Sequence, residues 1–291
     1  MGIFYCRNKQ DKPCLVQCFQ VRQLQVKNLN RGTKIVYEDF SILLTNVLLY
    51  LYMFLIFSWL TIFNQLAGYK KNVLMSRKTP PVALARKKYP RPSSEKLITA
   101  LSTENSIGFL IARDPFERLV SGYRDKIKGA LPNSPHDKLG RMMILKYRHI
   151  PATNSRQLRH RMRIIPTFTE FVRHVLDEFK AGNELDMHWT PVYSFCNPCQ
   201  INLTHIIKFE TFDRDTYSLL KKIHATHLLP SNGKLRKRNM AKGHENTSSM
   251  VDKYLNELTP DLLDGIRNLY NVDFDLFGYD KRLQLSTYSK T

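Results

Sequence analysis

The chain has 291 residues, enough for one large domain with an appendage and for a sizeable buried core. Its 45 Lys and Arg against 25 Asp and Glu leave a net charge of +20, which favours a polyanionic partner, whether nucleic acid, anionic membrane or acidic glycan, without choosing among them. The cysteines Cys6, Cys14, Cys18, Cys196 and Cys199 are too few for a disulfide scaffold, and their spacings complete no zinc site.

Residues 1–39 carry little pattern and lack a signal peptide's short apolar core and small-residue cleavage site. From Phe40 to Tyr69 no residue is charged, and the run over 40–66 is long enough to cross a bilayer. The sequence therefore predicts a transmembrane helix there, with a buried core helix as the other reading. Arg22, Lys27, Arg31 and Lys34 precede the run, and Lys70, Lys71, Arg77, Lys78, Arg86, Lys87 and Lys88 follow it. By that asymmetry alone the C-terminal part would face the cytosol. Thr79 to Pro92 is basic and proline-punctuated, as a surface connection is, and Ser94 to Leu101 reads as a short helix.

Ile107 to Ala112 is a short apolar run, broken only by Gly108, with the composition of a buried strand. Asp114 then stands as a helix N-cap with Pro115 at the first helical position. Phe116, Leu119, Val120, Tyr123 and Ile127 follow at helical spacing. The unit reads as strand, tight turn and amphipathic helix. Arg113 sits at the turn, where a guanidinium fork and a helix N-terminus can meet an anion, and Ser121 can add a hydroxyl. The plainer alternative is an Arg paired with an Asp at an ordinary junction.

Gly129 to Asp137 is a predicted loop. Lys146 to Arg163 is dense in base, either a solvated face or a track for an anionic polymer. Thr167 and Glu170 are spaced as a capping box ahead of a helix to Lys180, whose stripe is Phe168, Phe171, Val172, Val175, Leu176 and Phe179. His188-Trp189-Thr190-Pro191 follows. An imidazole there can take a hydroxyl's proton, or it is a hydrogen-bonded structural His beside a packed Trp. Cys196-Asn-Pro-Cys199 is redox-active, metal-binding or a structural clip. Thr204 to Phe209 reads as a strand ending at Glu210, and Asp213 to Leu228 as a helix. Gly233 to His244 is a basic loop. Thr259 and Pro260 start a last helix to Tyr270. Asn202 and Asn246 lie in glycosylation sequons.

The string from Arg113 to Lys126, RDPFERLVSGYRDK, resembles the 3'-phosphate-binding motif of Golgi carbohydrate sulfotransferases, most of all the branch of the chondroitin and dermatan 4-O-sulfotransferases. The resemblance runs, with gaps, from about Trp59 to Tyr279. It includes the His-Trp-x-Pro and Cys-x-Pro-Cys strings and the closing segment Asp273 to Tyr279. It implies an α/β fold of the P-loop-like sulfotransferase type, a central parallel sheet flanked by helices, over residues 67–291. The alternation of strand and helix supports that class independently.

The donor implied is 3'-phosphoadenosine 5'-phosphosulfate (PAPS), with Arg113 and Ser121 on its 3'-phosphate. The acceptor implied is a hydroxyl of an acidic glycan such as chondroitin or dermatan. His188 and Glu210 are the candidate bases. No metal and no nucleic acid is implied. The family's 5'-phosphosulfate loop, which supplies a Lys, small residues and Ser or Thr just before the Trp, corresponds here to Met53 to Ser58. Only Ser58 fits, and the Lys is absent. A sulfotransferase-like pseudoenzyme or glycan-binding protein without turnover is therefore the alternative. The resemblance also implies a single-pass type II protein of the Golgi membrane, residues 1–39 cytoplasmic and the catalytic domain lumenal, against the charge asymmetry. In an oxidising lumen Cys196 and Cys199 favour a disulfide, and Asn202 and Asn246 become glycosylation candidates.

Overall fold

A computed structural model describes residues 5–7, 13–15, 56–75, 79–90, 93–102, 106–148, 165–196, 198, 203–229 and 248–281. Residues 40–55 of the expected membrane span, Cys18, Cys199, Asn202, Asn246, the basic run beyond Arg148 and the basic loop 233–244 lie outside them. In chain order the elements begin with β1 (Tyr5–Arg7), β2 (Pro13–Leu15), α1 (Ile56–Leu66), α2 (Lys71–Met75), α3 (Pro81–Lys88), α4 (Ser94–Ser102) and β3 (Phe109–Ala112). Then come α5 (Pro115–Gly122), a π-helical turn (Tyr123–Lys128), α6 (Pro135–Tyr147), α7 (Phe168–Lys180), α8 (Val192–Cys196), β4 (His205–Lys208) and α9 (Phe212–Lys222). The last are α10 (Val251–Leu255), α11 (Pro260–Leu269) and α12 (Asn271–Phe277). The chain divides into two compact units. Unit 1 is Met1–Ala112 with Tyr193–Arg238, and unit 2 is Arg113–Val192 with Asn239–Thr291.

In unit 1, β1 and β2 pair antiparallel, and β3 and β4 pair in parallel with Phe109 opposite His205 and Ala112 opposite Lys208. The ladder continues at both ends, where the Thr204 amide donates to the Gly108 carbonyl (2.8 Å) and the Phe209 amide to that of Ala112 (2.8 Å). A parallel pair needs a long crossover, and here all of 113–192 lies between the two strands in sequence. Among the described residues this parallel sheet has two strands, a smaller sheet than expected but of the expected α/β kind.

Helix α1 supplies much of the core of unit 1. Trp59, Ile62 and Phe63 are each 1% exposed and pack with Phe109 of β3, Ile207 of β4 and Phe212, Leu219 and Leu220 of α9. The ring of Trp59 lies 4.5 Å from that of Phe109. Asn64 donates to the Pro81 carbonyl (3.0 Å) and so ties α1 to α3. This revises the reading of 40–66: its C-terminal eleven residues are a core helix. Among the described residues no helix is long and apolar enough to cross a membrane. A charge-free run looks the same whether its neighbours are lipid or protein, whereas the spacing of Trp59, Ile62, Phe63 and Leu66 is that of one buried helical stripe.

Unit 2 is built around α5. The Asp114 side chain accepts from the Glu117 amide (2.9 Å), and Pro115 opens the helix, as the sequence predicts. All five predicted stripe residues, Phe116 to Ile127, are buried. The helix widens into its π-helical turn at Tyr123, whose hydroxyl donates to the Pro166 carbonyl (2.8 Å) and whose ring meets Phe168, Phe171 and Tyr254.

The predicted loop 129–137 gives way at Pro135, where α6 starts under a Ser134 cap. The capping box of α7 is present: the Thr167 hydroxyl accepts from the Glu170 amide (3.1 Å), and the Glu170 carboxylate accepts from the Thr167 amide (2.7 Å). The stripe of α7 is buried from Phe168 to Leu176, while Phe179 at its end is 37% exposed. Of the basic run, Lys146 pairs with Asp177 (2.9 Å) and Arg148 with Glu170 (2.7 Å). Helix α12 ends at Gly278, whose left-handed φ of 61° suits a residue without Cβ.

Candidate active site

The contacts described below for Arg113 and His188 are made within unit 2. Arg113 stands one residue before the cap of α5, and its guanidinium reaches across the first turn to Glu117, with Nη2 and Nε at 3.2 and 3.3 Å from Oε2. Both side chains are nearly covered, at 11% and 12% exposure. Ser121 is buried and lies one further turn along, so Arg113, Glu117 and Ser121 recur every fourth residue on one face of the helix. The Asp114 carboxylate already takes the Glu117 amide, and Pro115 has no N–H to offer. Attraction for an anion therefore comes mainly from Arg113 and the helix dipole, and an arriving anion competes with the Glu117 carboxylate.

The second component is the turn that carries His188. Asp186 anchors it. Its Oδ1 accepts from the His188 backbone amide (2.9 Å) and faces the His188 Nδ1 at 2.5 Å, and its Oδ2 faces His136 Nε2 at 3.1 Å. Its main-chain carbonyl accepts from the Trp189 amide (3.0 Å) and the Thr190 hydroxyl (2.8 Å). Burial pushes the Asp186 carboxyl up, but hydrogen bonds from the side chain and amide of His188, and from His136, outweigh it and hold the group far below the usual carboxylate range. A carboxylate that stays ionised can only accept, so the proton between it and the ring sits on His188 Nδ1. That leaves the lone pair on Nε2, the tautomer a general base requires.

Three elements hold this turn. From α5, Arg118 is buried and donates through Nη2 to the Met187 carbonyl (3.0 Å). Gly122 of the same helix lies so close that a Cβ would stand 3.3 Å from the His188 carbonyl. From α11, the Tyr270 hydroxyl at its C-terminus donates to the Trp189 carbonyl (2.5 Å), and from α12 the Asp273 carboxylate accepts from the Val192 amide (2.6 Å). Helix α5 and the turn that leads into it thus place Arg113 and Ser121 on one side, and the helix bears the His188 turn through Arg118 and Gly122.

The structure brings Arg113, Ser121 and His188 into one unit. Glu210 lies in the turn two residues beyond β4, in unit 1, and is exposed. Ser58 falls in the first turn of α1, where a loop was expected. Cys196 is buried at the end of α8. The sequence reading named neither Asp186, His136 nor Arg118. Asp186 stands two residues before His188, a spacing that could have flagged it. Arg118 lies inside the quoted motif, but its burial could not be read there. His136 stands in the first turn of α6, at a position the sequence predicts as loop, fifty residues from its partner.

The fold and this site define an α/β protein in which a helix with a covered Arg–Glu pair at its first turn bears a turn with an oriented imidazole. A family model described as the Sulfotransferase family matches residues 28–280, and the chain belongs to that family. Among its curated relatives, carbohydrate sulfotransferase 11 of Rattus norvegicus is 31% identical over 172 residues, 59% of this chain and 46% of that protein. Carbohydrate sulfotransferase 9 of Homo sapiens is 33% identical over 184 residues, 63% and 39% of the two chains. Carbohydrate sulfotransferase 8 of Mus musculus is 30% identical over 227 residues, 77% and 52%. The chain spans about half the length, or less, of these relatives. No solved structure matches it.

Proposed function

We propose that this chain is a carbohydrate O-sulfotransferase that moves a sulfuryl group from PAPS to a hydroxyl of an acidic glycan such as chondroitin or dermatan. The observation that carries the reading is the double role of α5, which with the turn before it presents Arg113 and Ser121 and also bears the turn of His188. In the reaction the sugar oxygen attacks sulfur, the bond from sulfur to the phosphate oxygen breaks, and adenosine 3',5'-bisphosphate leaves. The hydroxyl's proton goes to His188 Nε2, while the Asp186 carboxylate steadies the imidazolium that forms. Arg113 and Ser121 hold the donor's 3'-phosphate, so that binding energy remote from sulfur orients the reacting group. Glu210, in the other unit, is the second candidate base. The names of the relatives support a carbohydrate acceptor, and the +20 charge suits an acidic one. A Golgi type II membrane anchor, a lumenal catalytic domain and a Cys196–Cys199 disulfide belong to the same proposal.

The test is calorimetry of the full chain with adenosine 3',5'-bisphosphate and with adenosine 5'-monophosphate, which lacks the 3'-phosphate. A hydrogen bond to a charged group is worth about 1.5–3 kcal/mol, so Arg113→Ala should weaken the bisphosphate roughly tenfold or more. It should barely change the monophosphate. Ser121→Ala should cost less, and Arg113→Lys should restore only part, because it keeps the charge and loses the fork. Equal losses for both nucleotides would make Arg113 a structural residue and remove the site assignment. Bisphosphate binding by a wild type that transfers no sulfuryl group would instead select the pseudoenzyme, in keeping with the missing loop Lys.

A further inference from the structure

We propose that His136, Asp186 and His188 form a site for a transition-metal ion of the zinc class, and that filling it switches off His188 as a base. The switch rests on the reaction proposed above; the metal site does not. Each of the three residues offers one ligand atom, and these atoms all lie within 4.8 Å of one another, the one such group among the described residues. Two contacts are already short, His136 Nε2 to Asp186 Oδ2 at 3.1 Å and His188 Nδ1 to Asp186 Oδ1 at 2.5 Å. Zinc bonds of about 2.0–2.2 Å hold the ligand atoms of one ion roughly 3–4 Å apart, so the trio needs only small ring rotations to close on it.

The donor set selects the ion. Two imidazoles and one carboxylate suit zinc, cobalt, nickel or copper, whereas magnesium and calcium take oxygen ligands. The side chains of His136, Asp186 and His188 remain 24%, 30% and 10% exposed, so an ion reaches them from solvent. Three protein ligands leave a fourth position for water or a substrate oxygen.

The consequence for catalysis follows from the tautomer. With Nδ1–H facing Asp186, the free lone pair of His188 is on Nε2. An ion bound at Nδ1 displaces that proton, which returns through solvent to Nε2. No proton is gained or lost overall, yet Nε2 becomes a donor and cannot take the sugar hydroxyl's proton. The same ring therefore serves as base or as ligand, and the ion acts as an inhibitor.

The experiment uses untagged full-length protein with Zn2+ by calorimetry and Co2+ by absorbance, alongside His136→Gln and His136→Asn. Losing even an outer-shell partner costs a metal site roughly 10–100-fold, so losing the direct ligand His136 should weaken Zn2+ at least tenfold. Bound Co2+ should show bands of nitrogen and oxygen ligation without thiolate charge transfer. Zn2+ should also protect His136 and His188 together from diethyl pyrocarbonate in wild type, a reading that needs no variant. In sulfuryl transfer from PAPS to chondroitin, Zn2+ should inhibit wild type, and either His136 variant should need at least tenfold more. Equal Zn2+ affinity in folded variants and wild type, or no protection of the two rings, overturns the site. Binding there without inhibition, or with activation, overturns the switch. A wild type without sulfotransferase activity removes the proposed function, and the binding and protection data then decide the metal site alone.

Discussion

Tyr270→Phe isolates one hydrogen bond at the base of the His188 turn. Tyr270 is fully buried, and its hydroxyl donates to the carbonyl of Trp189, itself 2% exposed. The substitution keeps the ring and its packing, removes the donor and strands a buried carbonyl. Such a loss costs about 1–3 kcal/mol, a sizeable part of a stability of about 5–15 kcal/mol. For a protein of this size each kcal/mol is worth roughly 2–4 °C, so a mid-range loss of about 2 kcal/mol lowers Tm by about 4–8 °C.

The pH dependence carries its own sign. Burial pushes the Tyr270 phenol far up; Arg118 opposes this and Asp273 adds to it. A raised phenol contributes stability that is fully present below the unfolded value, about 10, and lost as pH rises beyond it. Urea unfolding of wild type and variant, followed by circular dichroism from pH 7 to 10.5, should show a constant gap up to about pH 9 that then narrows. The remaining tyrosines ionise in both proteins and cancel. A gap below about 0.5 kcal/mol at pH 7, or one that widens in alkali, refutes the reasoning.

The capping box of α7 offers a graded pair: Thr167→Ala should cost about 1 kcal/mol, and Glu170→Gln more, because Glu170 also takes both guanidinium contacts of Arg148 at 2.8 and 2.7 Å. Burial raises the Glu170 carboxyl, but Arg148 and Thr167 outweigh it and leave the group below its ordinary value, so the gap between wild type and Glu170→Gln in denaturant titrations should close as pH falls below about 4. Expressed in a secretory system, the chain should lose mass on endoglycosidase treatment if Asn246 faces the lumen, whereas digestion of the C-terminal part by protease in sealed microsomes would reject that topology.

Features decided by neighbours in sequence were legible before any coordinates. Asp114 with Pro115, and Thr167 with Glu170, are local rules written within four residues, and both caps are present. The stripe of α5 followed from spacing alone. What could not be read depends on packing. Whether a charge-free run meets lipid or protein is decided by its surroundings, and for Trp59, Ile62 and Phe63 those are β3, β4 and α9. The pairing of His136 with Asp186 needs α6 and the 186–190 turn brought together across fifty residues of chain. Arg118, a charge on the face of α5 away from its apolar stripe, reads as solvent-facing until the Met187 carbonyl appears beside it.

The chain has two tryptophans, and they fall one to each unit, Trp59 in the core of unit 1 and Trp189 in that of unit 2. Both are nearly inaccessible to water. The protein therefore carries its own pair of optical probes. With Trp59→Phe the emission reports only on the surroundings of His188, and with Trp189→Phe only on the packing of α1 against the sheet. Quenching by acrylamide or iodide during melting would then say which half lets solvent in first, and a metal ion held by His136 and His188, whose rings lie 6.2 and 6.4 Å from that of Trp189, would register in the Trp189 signal.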